Sequence, residues 1–245
     1  MTIPKETEMH QLAARETALG LPEILEAILF ELPLRDLLVH AQLVSHTWKT
    51  TIQSSTVLQQ HLFFLSAQPS TSTSSPRIKF NPLLHSSFPP WFEDNTHNRY
   101  NRGVEFKTLD WNSTPKKRVA YSRKEASWRS MLLCQPPVHV LSIERNMYSM
   151  VGHRIWEGSI HFEDGVRMGL VYDRAYEVVR RPVSAFSMNW DGGKEDAVIL
   201  ITHFTQQCES ELDEDVGRDF CSEAFEKGLE IEFKDVKGKY TYARG

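Results

Sequence analysis

The sequence predicts an α+β protein made of a small helical N-terminal module and a larger mixed domain, on three observations. Apolar residues recur at helical spacing from Leu21 to Leu65. The run SAQPSTSTSSP, Ser66 to Pro76, then shifts the composition to Ser, Thr and Pro with almost nothing to bury. Further on, AVILIT, Ala197 to Thr202, is a continuous apolar run of strand length among helical and alternating patterns. The chain therefore divides into a tail over 1–19, a helical module over 20–65, a linker over 66–80 and an α+β domain over 81–245. With 245 residues and 40% hydrophobic content there is material for both units.

In the module, Ile24, Leu25, Ile28, Leu29 and Leu32 form the stripe of a first helix. Pro22 suits its first turn, where a missing N–H costs little, and Glu23 favours the positive end of the helix dipole. Pro33 interrupts that helix and opens a second one carrying Leu34, Leu37, Leu38 and Ala41. Val44, Trp48 and Ile52 lie at i, i+4 and i+8 on a third, and Ser54 or Ser55 caps a fourth with Val57, Leu58 and Leu62. A unit of this size is near the lower limit of independent stability. If about six apolar side chains stay exposed, on the order of 10 kcal/mol of gross driving force is open to a partner, offset by ordering and association costs.

Past the linker, NPLLHSSFPPWF (Asn81 to Phe92) holds too many prolines for regular structure and is expected to lie packed on a surface, its aromatics as anchors. EDNTHNRYNRG reads as a loop, and Val104 to Trp111 alternates like a half-buried strand. Lys116, Lys117, Arg118, Arg123 and Lys124 form a basic cluster, expected on a solvated loop. Ser122 and Glu125 have capping-box spacing ahead of Trp128, Met131 and Leu132, which predicts a helix ending before Pro136 and Pro137. Val138 to Ile143 and Ile155 to Phe162 are candidate strands, and Val166 to Val179 has a helical face. The acidic run Cys208 to Asp219 reads as a solvated loop and Phe220 to Phe225 as a helical turn. Leu229, Ile231 and Phe233 alternate as a strand, with Tyr240 and Tyr242 following a turn at Gly238.

A net charge of −4 and a pI near 6.2 argue against nucleic acid as the main partner. Cys134, Cys208 and Cys221 show no metal spacing and read as free thiols in a reducing compartment. No apolar run has the length of a signal peptide or a membrane span, so no membrane association is expected, and the location is cytoplasmic, nuclear or both. No GxSxG, P-loop, GxGxxG, HExxH or zinc-finger pattern is present, and the ten histidines are scattered. His153 and His161 lie eight residues apart across a glycine, and Asp213, Glu214 and Asp215 are consecutive, so neither group predicts a metal site. No catalytic residue, metal or cofactor is expected.

The segment from Leu21 to Trp48 resembles the F-box. The matching positions are Leu21 and Pro22, Glu23, Ile24 and Leu25, Ile28 and Leu29, Leu32 and Pro33, Asp36, Leu37 and Leu38, then Val44, Ser45 and Trp48. One departure is that Pro22 directly precedes Glu23, where many members place a residue between. NPLLHSSFPPWF and EASWRSMLLCQPPV, the latter through Ala126, Ser127, Trp128, Arg129, Met131, Leu132, Gln135, Pro136 and Pro137, look like the region after the F-box in a group of fungal F-box proteins. The resemblance implies a non-catalytic substrate receptor of a cullin-RING ubiquitin ligase of the SCF type, docked on a Skp-type adaptor and carrying a protein substrate on its second domain. It implies adaptor contact at Leu21, Pro22, Leu25, Leu32, Pro33 and Leu38, with Ile24, Ile28, Leu29, Val44 and Trp48 in the module's core. Two other readings are an F-box protein acting with the adaptor outside a ligase, and a small enzyme whose helices serve for oligomerisation.

Overall fold

The computed structural model describes residues 21–67, 78–92, 113–149, 152–179, 184–190, 197–205 and 234–236. The chain divides into two units, Met1–Leu65 and Ser66–Gly245. Among the described residues there are seven α-helices and two sheets, a mixed helix-and-sheet protein of the α+β class. The tail over 1–19, most of the linker, the loop expected over 93–103, the strand expected over 104–111 and the patterns read between 208 and 233 and at Tyr240 and Tyr242 lie outside the described residues.

In the first unit α1 (Pro22–Phe30) starts with Pro22 at its first position and Glu23 in its first turn. Pro33 stands at the N-cap of α2 (Leu34–Val39), in an extended conformation that turns the chain between the two helices. A 3₁₀ turn, Ala41–Leu43, follows. α3 (His46–Ser54) begins where the Ser45 hydroxyl accepts from the Trp48 N–H at 3.2 Å. α4 (Thr56–His61) begins the same way, with Ser55 accepting from the Leu58 N–H at 3.1 Å. Each hydroxyl satisfies a backbone donor that the helix leaves over. The core is Leu25, Leu29, Leu37, Ala41, Ile52, Leu58 and Leu62, with Leu32, Leu34, Leu38, Trp48 and Phe64 half-buried against it.

The second unit opens with a short sheet, β1 (Lys79–Phe80) against β2 (Cys134–Gln135). Between these strands come α5 (Pro82–Ser87), a 3₁₀ turn Pro89–Trp91, α6 (Pro115–Tyr121) and a 3₁₀ turn Ser127–Ser130. The larger sheet contains β3 (Val140–Ser149), β4 (Gly152–His161), β5 (Ser184–Asn189), β6 (Ala197–Thr205) and β7 (Lys234–Val236), in the order β5-β6-β3-β4-β7. β3 is central, antiparallel to β4 and parallel to β6. α7 (Met168–Val179) packs on β5 and β6. Its buried residues Met168, Val171, Tyr172, Ala175 and Val178 keep helical spacing. Leu141, Ile143 and Arg145 are in register with Val198, Leu200 and Thr202, so these buried side chains share one face of the sheet.

Three expectations for this unit are corrected. NPLLHSSFPPWF contains a helix, because Asn81 Oδ1 accepts from the N–H groups of Leu83 and Leu84 while Pro82 takes the first helical position, where a proline costs nothing. The basic cluster begins on a helix and not a loop: Thr114 caps α6 by accepting from the Lys117 N–H, and Pro115 opens it. The helix expected after Ser122 is replaced by the short 3₁₀ turn. Ser122 ends α6, its hydroxyl donating to the Val119 carbonyl, and Ala126 is extended, so no capping box forms with Glu125.

Phe88 and Trp91 are buried, as anchors of an otherwise loosely patterned segment must be. Trp91 lies 4.6 Å from Phe186 and 5.7 Å from Tyr172, and Phe88 lies 4.9 Å from Trp128. The Trp190 indole N–H donates to the Trp91 carbonyl at 2.9 Å. These rings join the segment after β1 to α7 and β5, and large buried aromatics of this kind contribute heavily to a core.

Candidate functional site

The first unit fills its interior and still has apolar side chains left over. On α1 the ridge Leu25–Leu29 points inward, both residues fully buried. At about 100° per residue, Ile24 and Ile28 lie roughly 100° and 60° round from Leu25, on the side away from Leu29. They are 40% and 39% exposed, and Leu21, one turn earlier on the same side, is 47% exposed. Leu21, Ile24 and Ile28 thus make an apolar ridge about 10 Å long beside the buried one. Leu43 and Val44, between α2 and α3, are 80% and 60% exposed. Phe30, also exposed, rests its ring 4.4 Å from that of His61.

The structure redistributes the residues singled out in the sequence. Leu25, expected at a partner contact, is sealed in the core. Ile24, Ile28 and Val44, expected in the core, are exposed. The reason on α1 is that apolar residues occupy two adjacent ridges, 24/28 and 25/29, and a single small core accommodates one. The reason at Val44 is that α3 begins only at His46, so the i, i+4, i+8 relation to Trp48 and Ile52 is broken by the Ser45 cap. Leu29 is buried and Trp48 half-buried against the core; Leu32 and Leu38 are half-buried, and Leu21, Pro22 and Pro33 exposed. Leu43 was not singled out, although its place directly before Val44 and a helix-capping serine marks a pair that cannot both turn inward.

His40 Nδ1 and Asp36 Oδ1 are 2.9 Å apart on α2, an exposed i, i+4 pair worth little in water.

The second unit has an open hollow of about 430 Å³ where the 3₁₀ turn Ser127–Ser130 meets the start of α7, lined by Arg129, Phe162, Gly165, Arg167, Leu170 and Asp173 among others. Both of its arginines are engaged, Arg129 with the Asp173 carboxylate and Arg167 with the Ser130 carbonyl. The Arg129 guanidinium also lies 5.1 Å from the centre of the Trp128 ring. Gly165 has a φ of +87°, and a Cβ there would fall 2.5 Å from Pro137 Cβ, so the turn before α7 needs a glycine for both backbone and space. Deeper in, burial lifts the Tyr172 phenol well above the usual tyrosine range; Tyr176 and Asp173 add to the effect and Arg129 opposes it. Among the described residues no cluster of three or more His, Cys, Asp or Glu is placed to hold a metal ion, and no helix is long and apolar enough to cross a membrane.

Comparison with known protein families, curated proteins and solved structures returns no match.

Proposed function

We propose that this chain is a substrate receptor of a cullin-RING ubiquitin ligase, binding a Skp-type adaptor through its N-terminal unit and a protein substrate through its second unit. The observation that supports this reading is the surplus of apolar surface: a unit with its own complete core leaves Leu21, Ile24, Ile28, Leu43 and Val44 in water. Burying such side chains at an interface supplies roughly 1.5 to 3 kcal/mol each before ordering costs, and it is the feature an adaptor-docking module needs. The sequence resemblance to the F-box, carried by the same segment, names the adaptor. In this role the chain does no chemistry; it raises the effective concentration of a substrate beside the transferring subunits.

The test is co-purification of the full chain with a Skp-type adaptor and a cullin, compared with an Ile24→Asp, Ile28→Asp, Leu43→Asp variant. These positions are exposed, so the variant keeps its core, whereas Leu25→Asp would place a carboxylate in it and unfold the unit. Assembly of the wild type with both proteins, lost in the folded variant, is the expected result. Assembly with the adaptor but not the cullin would place the protein outside a ligase, and failure of the folded wild type to bind the adaptor would overturn the reading.

A further inference from the structure

The helix α6 and the turn after it carry Lys116, Lys117, Arg118, Arg123 and Lys124, all exposed, with Glu125 the one carboxylate among them. No residue of this helix is buried. Helices on a protein surface ordinarily turn one apolar stripe inward, whereas α6 turns in only its last residue, the half-buried Tyr121. Its charges do not help it: Lys116 and Lys117 stand in the first turn, where the helix dipole disfavours cations. Among the described residues no carboxylate pairs with Lys116, Arg118, Arg123 or Lys124, whereas Arg129 and Arg174 each have one. Val119, in the middle of the helix, is 63% exposed.

We propose that the exposed surface of α6 and the turn after it, with Lys116, Arg118, Val119, Arg123 and Lys124 distributed around the helix and past its end, is a docking surface for a short acidic peptide segment, a run of Asp and Glu residues in a protein partner. Charge complementarity and size both select that occupant. Seven helical residues span about 10 Å, which three or four extended residues of a peptide cover at ~3.4 Å each. A nucleic acid would extend beyond this patch onto a chain whose net charge is −4. Single strands also need aromatic faces on which to stack bases, and Tyr121, the aromatic ring of α6, is half-buried and already set 5.8 Å from Phe88 and 6.4 Å from Trp128. Val119 instead gives an aliphatic contact suited to a side chain of a peptide.

This inference rests on the receptor reading only in calling the acidic segment a substrate. The test uses the full-length chain, without adaptor, and a fluorescently labelled peptide of about eight alternating Asp and Glu residues, long enough to cross the helix and the following turn. Saturable binding is expected, weakening as salt is raised and falling about tenfold or more in a Lys116→Glu, Arg118→Glu, Arg123→Glu, Lys124→Glu variant with an unchanged circular dichroism spectrum. Because these side chains are exposed and outside any ion pair, that variant folds; Val119→Ser, neutral in charge, should weaken binding by a smaller factor. Equal binding by wild type and charge-reversed variant, or binding of duplex DNA, RNA or anionic vesicles in preference to the peptide, would overturn the proposal. Adaptor binding without peptide binding sinks this inference alone, and peptide binding without adaptor binding sinks the receptor reading alone.

Discussion

Asn81 is fully buried, and its side chain works in both directions. Its oxygen accepts from Leu83 and Leu84, its amide donates to the Leu132 carbonyl at 3.2 Å, and its backbone N–H donates to the Leu133 carbonyl at 2.9 Å. One residue therefore starts α5 and holds it to the segment before β2. Asn81→Ala removes the cap and leaves a buried carbonyl without that donor, and it should cost about 2 to 4 kcal/mol in urea unfolding. Asn81→Asp keeps the acceptor but sets a carboxylate against the Leu132 carbonyl, so it should rescue little of that loss. On α1 the contrast between neighbouring residues gives a second expectation. Leu25→Ala opens a cavity in a small core and should lower the stability of the first unit by about 2 to 5 kcal/mol. Ile24→Ala, at an exposed position, should cost about 1 kcal/mol or less, and urea titration of both variants would separate them.

At the scale of elements, the turn before α7 makes the firmest prediction. Gly165→Ala meets both a disfavoured backbone conformation and a 2.5 Å contact with Pro137, so it should destabilise the second unit by roughly 1 to 3 kcal/mol, read from its thermal unfolding. Ser45→Ala and Ser55→Ala each remove one side-chain cap and should each cost about 1 kcal/mol. Much of this level was legible in the sequence. The helices of the first unit were marked by proline and serine punctuation, α7 by its stripe and β6 by its unbroken apolar run. What misled was local chemistry with two possible uses. Ser122 and Glu125 have the spacing of a helix start, but Ser122 closes the helix that Thr114 and Pro115 had begun. The prolines around Leu83 suggest irregular chain, yet one of them sits where a helix accepts it. The division of exposed and buried residues on α1 was not legible, because spacing defines two apolar ridges equally well and only the partner helices α3 and α4 decide which is inward.

For the whole molecule, the buried Tyr172 couples stability to pH. Its phenol titrates in the folded protein above the unfolded value of about 10, so the unfolded chain releases its proton first. Stability is undiminished below that value and declines as pH rises above it. Tyr172→Phe should blunt this decline, and the check is the midpoint of urea unfolding of both proteins measured from neutral pH to above pH 10. The sheet adds a consequence for how the chain is made. β3 and β4 form one hairpin and β5 and β6 another antiparallel pair, but the central pairing of β3 with β6 joins Val140 to Ala197 and Tyr148 to Thr205. As the polypeptide leaves the ribosome, the β3–β4 hairpin emerges while β6 is still unsynthesised, with one side of β3 offering unpaired backbone donors and acceptors. For that interval the nascent chain carries an open strand edge beside Leu141, Ile143 and Met147, the kind of edge on which chaperones act and misassembly begins.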